Sequence, residues 1–145
     1  MSDEPVKYLL FTCGDTDYAI PSLLVREIVS GLPVYPVPFV PTWVRGLLNR
    51  HGEPFVVLDP EVLFGRDPLK GSTALLLSVP GDQVSLRITD VCEFLTVPES
   101  DLHRISAPDE SAVFFLGAVT SSRGDVFVLN IHSILERLAV DVGSS

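Results

Sequence analysis

The stretch Trp43-Val44-Arg45-Gly46-Leu47-Leu48-Asn49-Arg50-His51-Gly52-Glu53-Pro54-Phe55-Val56-Val57-Leu58-Asp59 decides how this chain is read. Two apolar runs, Val44 to Leu48 and Phe55 to Leu58, flank a polar Asn-Arg-His-Gly-Glu-Pro tip. Both runs carry the β-branched and bulky side chains that suit a pleated, half-buried surface. The pattern predicts a β-hairpin.

A second copy lies near the C-terminus, from Leu116 through Gly117, Arg123 and Gly124 to Asn130. In both copies a Gly opens the first strand, a basic residue sits at the tip beside another Gly, and an apolar run ends in Asp59 or Asn130. The interval from Gly46 to Asp59 equals that from Gly117 to Asn130. Each Asx is followed by apolar residues at helical spacing: Val62, Leu63 and Phe64 in one case, Ile131, Ile134, Leu135 and Leu138 in the other. Two copies are too few for a solenoid and imply two similar β units in one chain.

Composition sets the remaining limits. A chain of 145 residues makes one domain, or two small halves around one core. Its hydrophobic share of 46% and mean hydropathy of +0.36 are high. No stretch approaches the ~20 apolar residues of a membrane span, however, and the apolar residues come in short bursts broken by Gly and Pro. The acidic Met1-to-Pro5 stretch is unlike a secretory leader, and Cys13 and Cys92 lie inside apolar runs, which fits small buried residues in a reducing cytoplasm. A formal charge of -9 with only ten scattered basic residues argues against nucleic acid and against anionic membrane surfaces.

Along the chain, residues 1 to 6 read as a frayed tail, Tyr8 to Cys13 and Tyr18 to Ile20 as paired strands, and Leu23 to Ile28 as a short helix N-capped by Ser22. Pro33, Pro36, Pro38 and Pro41 mark an extended connection pinned to the body by Val34, Tyr35, Val37, Phe39 and Val40. Pro60 to Gly65 reads as a helical turn. Arg66 to Gly71 reads as an exposed crossing between halves. Thr73 to Val79, Val84 to Ile88 and Asp90 to Val97 are further strands, the second with Ser85 and Arg87 pointing outward. Pro98 to Glu110 is loop-like, and a short helix from Ile131 to about Leu138 precedes a loose tail to Ser145. Runs such as Leu75-Leu76-Leu77 do not alternate, so both of their faces should be covered, as in two small barrels packed together.

No chemistry announces itself. His51, His103 and His132 lack metal-ligand spacing, and phosphate-loop, nucleophile-elbow and dinucleotide fingerprints are absent, so neither metal nor cofactor is expected. Asp59 and Asp90, both at strand ends, would serve a small hydrolase only if one cleft held them; as caps they need no cleft, and Asn130 in the place equivalent to Asp59 favours capping. A ligand-binding barrel would require an internal cavity. Arg45, Arg50 and His51 beside Trp43 form a local basic point, suited to an acidic partner surface or to an ordinary solvated turn.

Four segments together resemble the CheW-like domain family of chemotaxis coupling proteins. These are Phe11 to Ile28, Pro41 to Asp59, Gln83 to Leu95 and Leu116 to Leu135, in family order and spanning nearly the whole chain. The resemblance implies a mainly β fold of two five-stranded SH3-like barrels around a shared apolar core, with short helices at connections and the C-terminus. It implies a single domain over residues 1–145 with approximate halves Pro21–Lys70 and Gly71–Asn130, between which terminal strands cross. It further implies a non-catalytic adaptor joining the regulatory domain of a CheA-type histidine kinase to the cytoplasmic tip of chemoreceptors, working in the cytoplasm beneath receptor arrays without inserting into the membrane. By position, Val25, Glu27, Ile28, Gly46, Asn49, Arg50, His51 and Gly52 fall where family members meet receptor or kinase. Where the family has Arg before the tip Gly this chain has His51, with Arg50 one place earlier, so the permanent bidentate charge has moved. That departure suits a kinase of a related pathway, such as one governing surface motility, as an alternative.

Overall fold

The structure, a computed structural model, describes residues 3–104 and 110–143. Among the described residues there are ten strands: β1 Pro5–Cys13, β2 Thr16–Pro21, β3 Val25–Val29, β4 Val44–Arg50, β5 Glu53–Leu58, β6 Ala74–Leu77, β7 Val84–Arg87, β8 Asp90–Pro98, β9 Phe115–Ser121 and β10 Gly124–Leu129. Two helices join them, α1 Pro60–Leu63 and α2 Ile131–Gly143, with short 3-10 turns at Ser22–Leu24, Glu99–Asp101 and Glu110–Phe114.

The strands form two five-stranded sheets, one in the order β8-β1-β2-β10-β9 and the other β3-β6-β7-β5-β4. Position by position the sheets match, each closing on a parallel pair, β2 with β10 and β5 with β7. A parallel neighbour requires a crossover. In the second sheet α1 and β6 supply it, which draws residues 74–87 into the same sheet as β3, β4 and β5. The sheets therefore do not divide at Lys70 and Gly71. The middle of the chain, from Val25 to Arg87, builds one, and the N-terminal hairpin β1–β2 joins β8, β9 and β10 in the other.

Three apolar layers hold the sheets together. Alternate residues of each central strand face opposite ways. Leu9, Phe11, Tyr18, Ile20, Leu58, Leu75, Leu77 and Leu86 meet in a core shared by both sheets. Tyr8, Leu10, Ala19, Val126 and Val128 fill the interior of the first barrel, and Leu48, Phe55, Val57, Ala74 and Leu76 that of the second. This is why Leu75-Leu76-Leu77 is apolar without a break: each face has its own core.

Several expectations are corrected. The tail is shorter than residues 1 to 6, since β1 begins at Pro5, and of that stretch residues 1–2 lie outside the described residues. Leu23 to Ile28 is not a helix: after one 3-10 turn, Val25–Val29 becomes strand β3, because pairing with β6 satisfies more backbone than so short a helix could. Ser85 and Arg87 do not face solvent but are buried at 0% and 7% exposure, since β7 is the central strand of its sheet. The Arg66-to-Gly71 segment is exposed as expected except at Leu69, but it links two strands of one sheet rather than two halves. Leu69 is buried in the shared core, and the Arg66 guanidinium reaches Glu61, Tyr18 and Thr16. Helix α2 continues past Leu138 to Gly143. Residues 105–109 of the expected loop and 144–145 of the expected tail lie outside the described residues.

Candidate partner-binding surface

The β4–β5 hairpin turns through His51 and Gly52, both at positive φ, 53° and 80°. Two consecutive residues in that region make a type I′ turn, whose twist matches that of the flanking strands. Gly serves at no steric cost, and His is among the residues that visit this region more than most. The tip is exposed in consequence.

Strands β3 and β4 are the two edges of their sheet, and charged side chains bridge them. Arg50 donates from Nε to Glu27 Oε1 at 2.8 Å and from Nη2 to Oε2 at 2.7 Å, a bidentate fork. Alongside it, Arg26 Nη2 donates to Glu53 Oε2 at 3.0 Å while its guanidinium lies 5.3 Å from the Phe55 ring centre. The hydrogen bonds from Arg50 hold the Glu27 carboxyl below its ordinary value. Two adjacent charges on β3 are thus clasped to opposite charges at both ends of the tip.

The residues expected to contact partners therefore separate into two groups. Ile28 is 43% exposed, and Asn49, His51 and Gly52 are exposed beside the half-buried Glu27–Arg50 pair. The clasp brings Glu27 of β3 to the Arg50–Gly52 tip, and Ile28 follows Glu27 on β3. Val25 instead packs on the shared core, and Gly46 is buried. Gly46 has φ 139°, and a Cβ there would lie 2.2 Å from the Tyr35 carbonyl oxygen. It is required because residues 34–35 cross β4 at that point, pairing Tyr35 with Leu47. The same device recurs at Gly117, crossed by His103, which pairs with Ala118. Trp43 is likewise no surface contact: it is 5% exposed, and its Nε1 donates to Asp141 of α2 at 3.0 Å.

Sequence reasoning missed Arg26 and Glu53, the second half of the clasp. The adjacency of Arg26 to Glu27 and the Arg50…Glu53 spacing carried that signal. It also missed the exposure of Leu23 and Phe39, at 89% and 95%. The proline-rich connection is pinned by Val34 on the interior of the second barrel, by Val40 on the shared core and by the backbone pairing of Tyr35 with Leu47, while Phe39 projects from it with φ 60°.

Asp59 and Asp90 are not brought together as catalytic partners. Asp59 is wholly buried and caps α1, accepting from the amides of Glu61 and Val62 through Oδ1 and of Leu69 through Oδ2. Asp90 is exposed at the start of β8 in the other sheet and accepts from Val91. Asn130 caps α2 through the Ser133 amide, as its equivalence to Asp59 predicts. An apolar groove of about 400 Å³ runs outside the barrels between α2 and β4–β5, lined by Val44, Leu47, Val56, Leu135, Leu138 and Val142.

Residues 7–139 match the model of the CheW-like domain. The chain belongs to the CheW-like domain family. Among its CheW-like relatives, it is 27% identical over 109 residues to the chemotaxis protein CheW of Rhizobium meliloti, spanning 73% of this chain and 69% of that one. It is 29% identical over 104 residues to CheW of Helicobacter pylori, spanning 70% of this chain and 63% of the other. With CheW of Treponema pallidum it shares 24% identity over 148 residues, covering 92% and 84% of the two chains. Its fold matches that of the scaffolding protein TtCheW from Thermoanaerobacter tengcongensis with a TM-score of 0.77 at 19% identity, covering 88% of this chain and 90% of the other. The CheW-like fold of two SH3-like subdomains is therefore this chain's fold, and the family is one of scaffolds without catalysis of their own.

Proposed function

We propose that this chain is a non-catalytic adaptor of chemotaxis signalling, coupling the regulatory domain of a CheA-type histidine kinase to the cytoplasmic tip of chemoreceptors. The observation that carries the reading is the family match across residues 7–139. The exposed tip of β4–β5 supports it, with Asn49, His51 and Gly52 beside the clasped Glu27–Arg50 pair and the exposed apolar Ile28 following Glu27 on β3. Val25 and Gly46 act from beneath, holding β3 and β4 in place. No helix among the described residues is long and apolar enough to cross a membrane.

One observation favours a variant of this reading, service to a kinase of a related pathway without ordinary receptor binding. The only guanidinium of the β4–β5 tip, that of Arg50, is already engaged by Glu27, which leaves imidazole as the exposed tip group. Titration calorimetry of the purified chain with the regulatory domain of its organism's CheA-type kinase tests the adaptor reading. A complex near one to one at micromolar affinity, about -8 kcal/mol, is expected, weakened at least tenfold by Ile28→Asp. Absence of binding to every such kinase would overturn it.

A further inference from the structure

A cleft of about 670 Å³ opens between the β1–β2 turn of the first sheet and the α1–β6 loop of the second, lined by Asp15, Thr16, Arg66, Asp67, Lys70 and Thr89. Its walls are fixed by the fold. The Gly14 amide donates to Thr89 Oγ1 at 2.8 Å, the Thr89 amide to the Thr12 carbonyl at 2.8 Å, and the Leu69 amide to the buried Asp59 carboxylate at 2.9 Å. A largely pre-formed space of this size falls in the range that small-molecule sites occupy.

Arg66 enters the cleft with one edge tethered. Its Nη1 donates to Tyr18 Oη at 2.9 Å, to Glu61 Oε2 at 3.1 Å and to Thr16 Oγ1 at 3.2 Å, and Glu61 is buried at 5% exposure. Among the described residues its Nη2 and Nε have no acceptor, and the side chain is half exposed. The Thr16 and Thr89 hydroxyls each accept from an N–H, so each keeps its own proton to donate. The side chains of Asp15, Asp67 and Lys70 are exposed and form no ion pair among the described residues.

This lining decides the class of ligand. A simple anion drawn to Arg66 would meet the Asp15 and Asp67 carboxylates, and a simple cation drawn to those would meet Arg66 and Lys70. A small molecule that carries both signs, a carboxylate beside an ammonium group, satisfies both sets. Guanidinium offers a carboxylate two parallel N–H donors. We propose that this cleft is a binding site for a free α-amino acid, with its carboxylate on the untethered edge of Arg66 and its ammonium group on the carboxylates of Asp15 and Asp67. Occupancy would tie the β1–β2 turn to the α1–β6 loop, and so one sheet to the other. None of these residues belongs to β3 or to the β4–β5 tip, so the site does not depend on the adaptor reading.

The probes are L-alanine, L-glutamate and L-lysine, titrated into the full chain at constant pH and ionic strength while the Arg66 Nε–H resonance is followed by nitrogen-15 correlation spectroscopy. Acetate and ethylammonium, the two halves of such a ligand, are the controls. At least one amino acid should move the Arg66 resonance saturably at a concentration where neither half does. Asp15→Asn combined with Asp67→Asn, changes at exposed positions, should leave the fold intact and weaken that amino acid at least tenfold. A cleft that merely attracts anions would respond with the opposite sign, since loss of two carboxylates would tighten acetate and amino acid alike. The rise in thermal midpoint that the amino acid gives the wild type should be lost in the same double variant. An Arg66 signal unmoved by all three amino acids, a shift matched by acetate alone, or an affinity unchanged or raised in the double variant would overturn the site.

Discussion

At the scale of single residues, the two glycines that open the paired hairpins carry the most specific prediction. Gly46 and Gly117 lie at φ 139° and 151° with backbone oxygens 2.2 and 2.5 Å from where a Cβ would sit. Gly46→Ala should therefore cost about 2–3 kcal/mol, combining the strain of the backbone region with displacement of the crossing segment. Urea unfolding should show this as a lower midpoint. Their recurrence was legible in the sequence. Their reason was not, because the segments that cross them, at Tyr35 and His103, are irregular and carry no periodic pattern. His51 makes the opposite case. Gly has no Cβ to oppose φ 53°, so His51→Gly should be near neutral or stabilising by a few tenths of a kcal/mol, whereas β-branched His51→Val should cost about 1 kcal/mol or more. The denaturant midpoint of His51→Val should fall below that of His51→Gly by that margin.

Elements depend on caps and clasps. Asp59 alone satisfies three backbone amides while wholly buried, so Asp59→Ala should cost about 2–3 kcal/mol by leaving them unpaired. Asp59→Asn should recover part of the loss, as a hydrolytic role would not require. Chemical denaturation of both variants checks this. The β3-to-tip clasp predicts a pH dependence. Glu27 is held below its ordinary value by Arg50, so its contribution is fully present above the unfolded carboxylate value and fades as pH falls through the folded one. Thermal midpoints should decline below about pH 5, and Arg50→Gln should flatten that limb. Equal slopes in both proteins would remove the clasp from the account. The cap was legible from the parallel between Asp59 and Asn130. Strand β3 was not, because Leu24, Val25 and Ile28 also fit a helical face, and only the β6 edge decides in favour of the strand.

The whole molecule is organised by the shared core, to which both sheets contribute. Unfolding should accordingly be a single transition: amide exchange in β6 of the second sheet and in β10 of the first should give one midpoint, shared by the fluorescence of Trp43 in the common core. Phe11, fully buried in the shared layer, should cost about 3–5 kcal/mol on replacement by Ala, with protection lost in both sheets together. The same layer predicts an alkaline limb, since burial pushes the Cys13 thiol and the Tyr18 phenol up, favouring their neutral forms; stability should fall as pH rises past the ordinary values of these groups. The doubled hairpin and uninterrupted apolar runs made two barrels and a common core readable in advance. The partition of strands between sheets was hidden, because the N-terminal hairpin completes a sheet whose other strands lie far along the chain, and nothing local in the sequence records a parallel pairing such as β2 with β10.

Cosedimentation tests the proposed coupling: kinase and receptor cytoplasmic fragments, the latter displayed on vesicles, are spun with and without this chain. The kinase should pellet with receptor only when the chain is present, and Ile28→Asp should abolish this without unfolding the protein. Kinase recovery that is the same with the chain, without it and with the variant would contradict the claim.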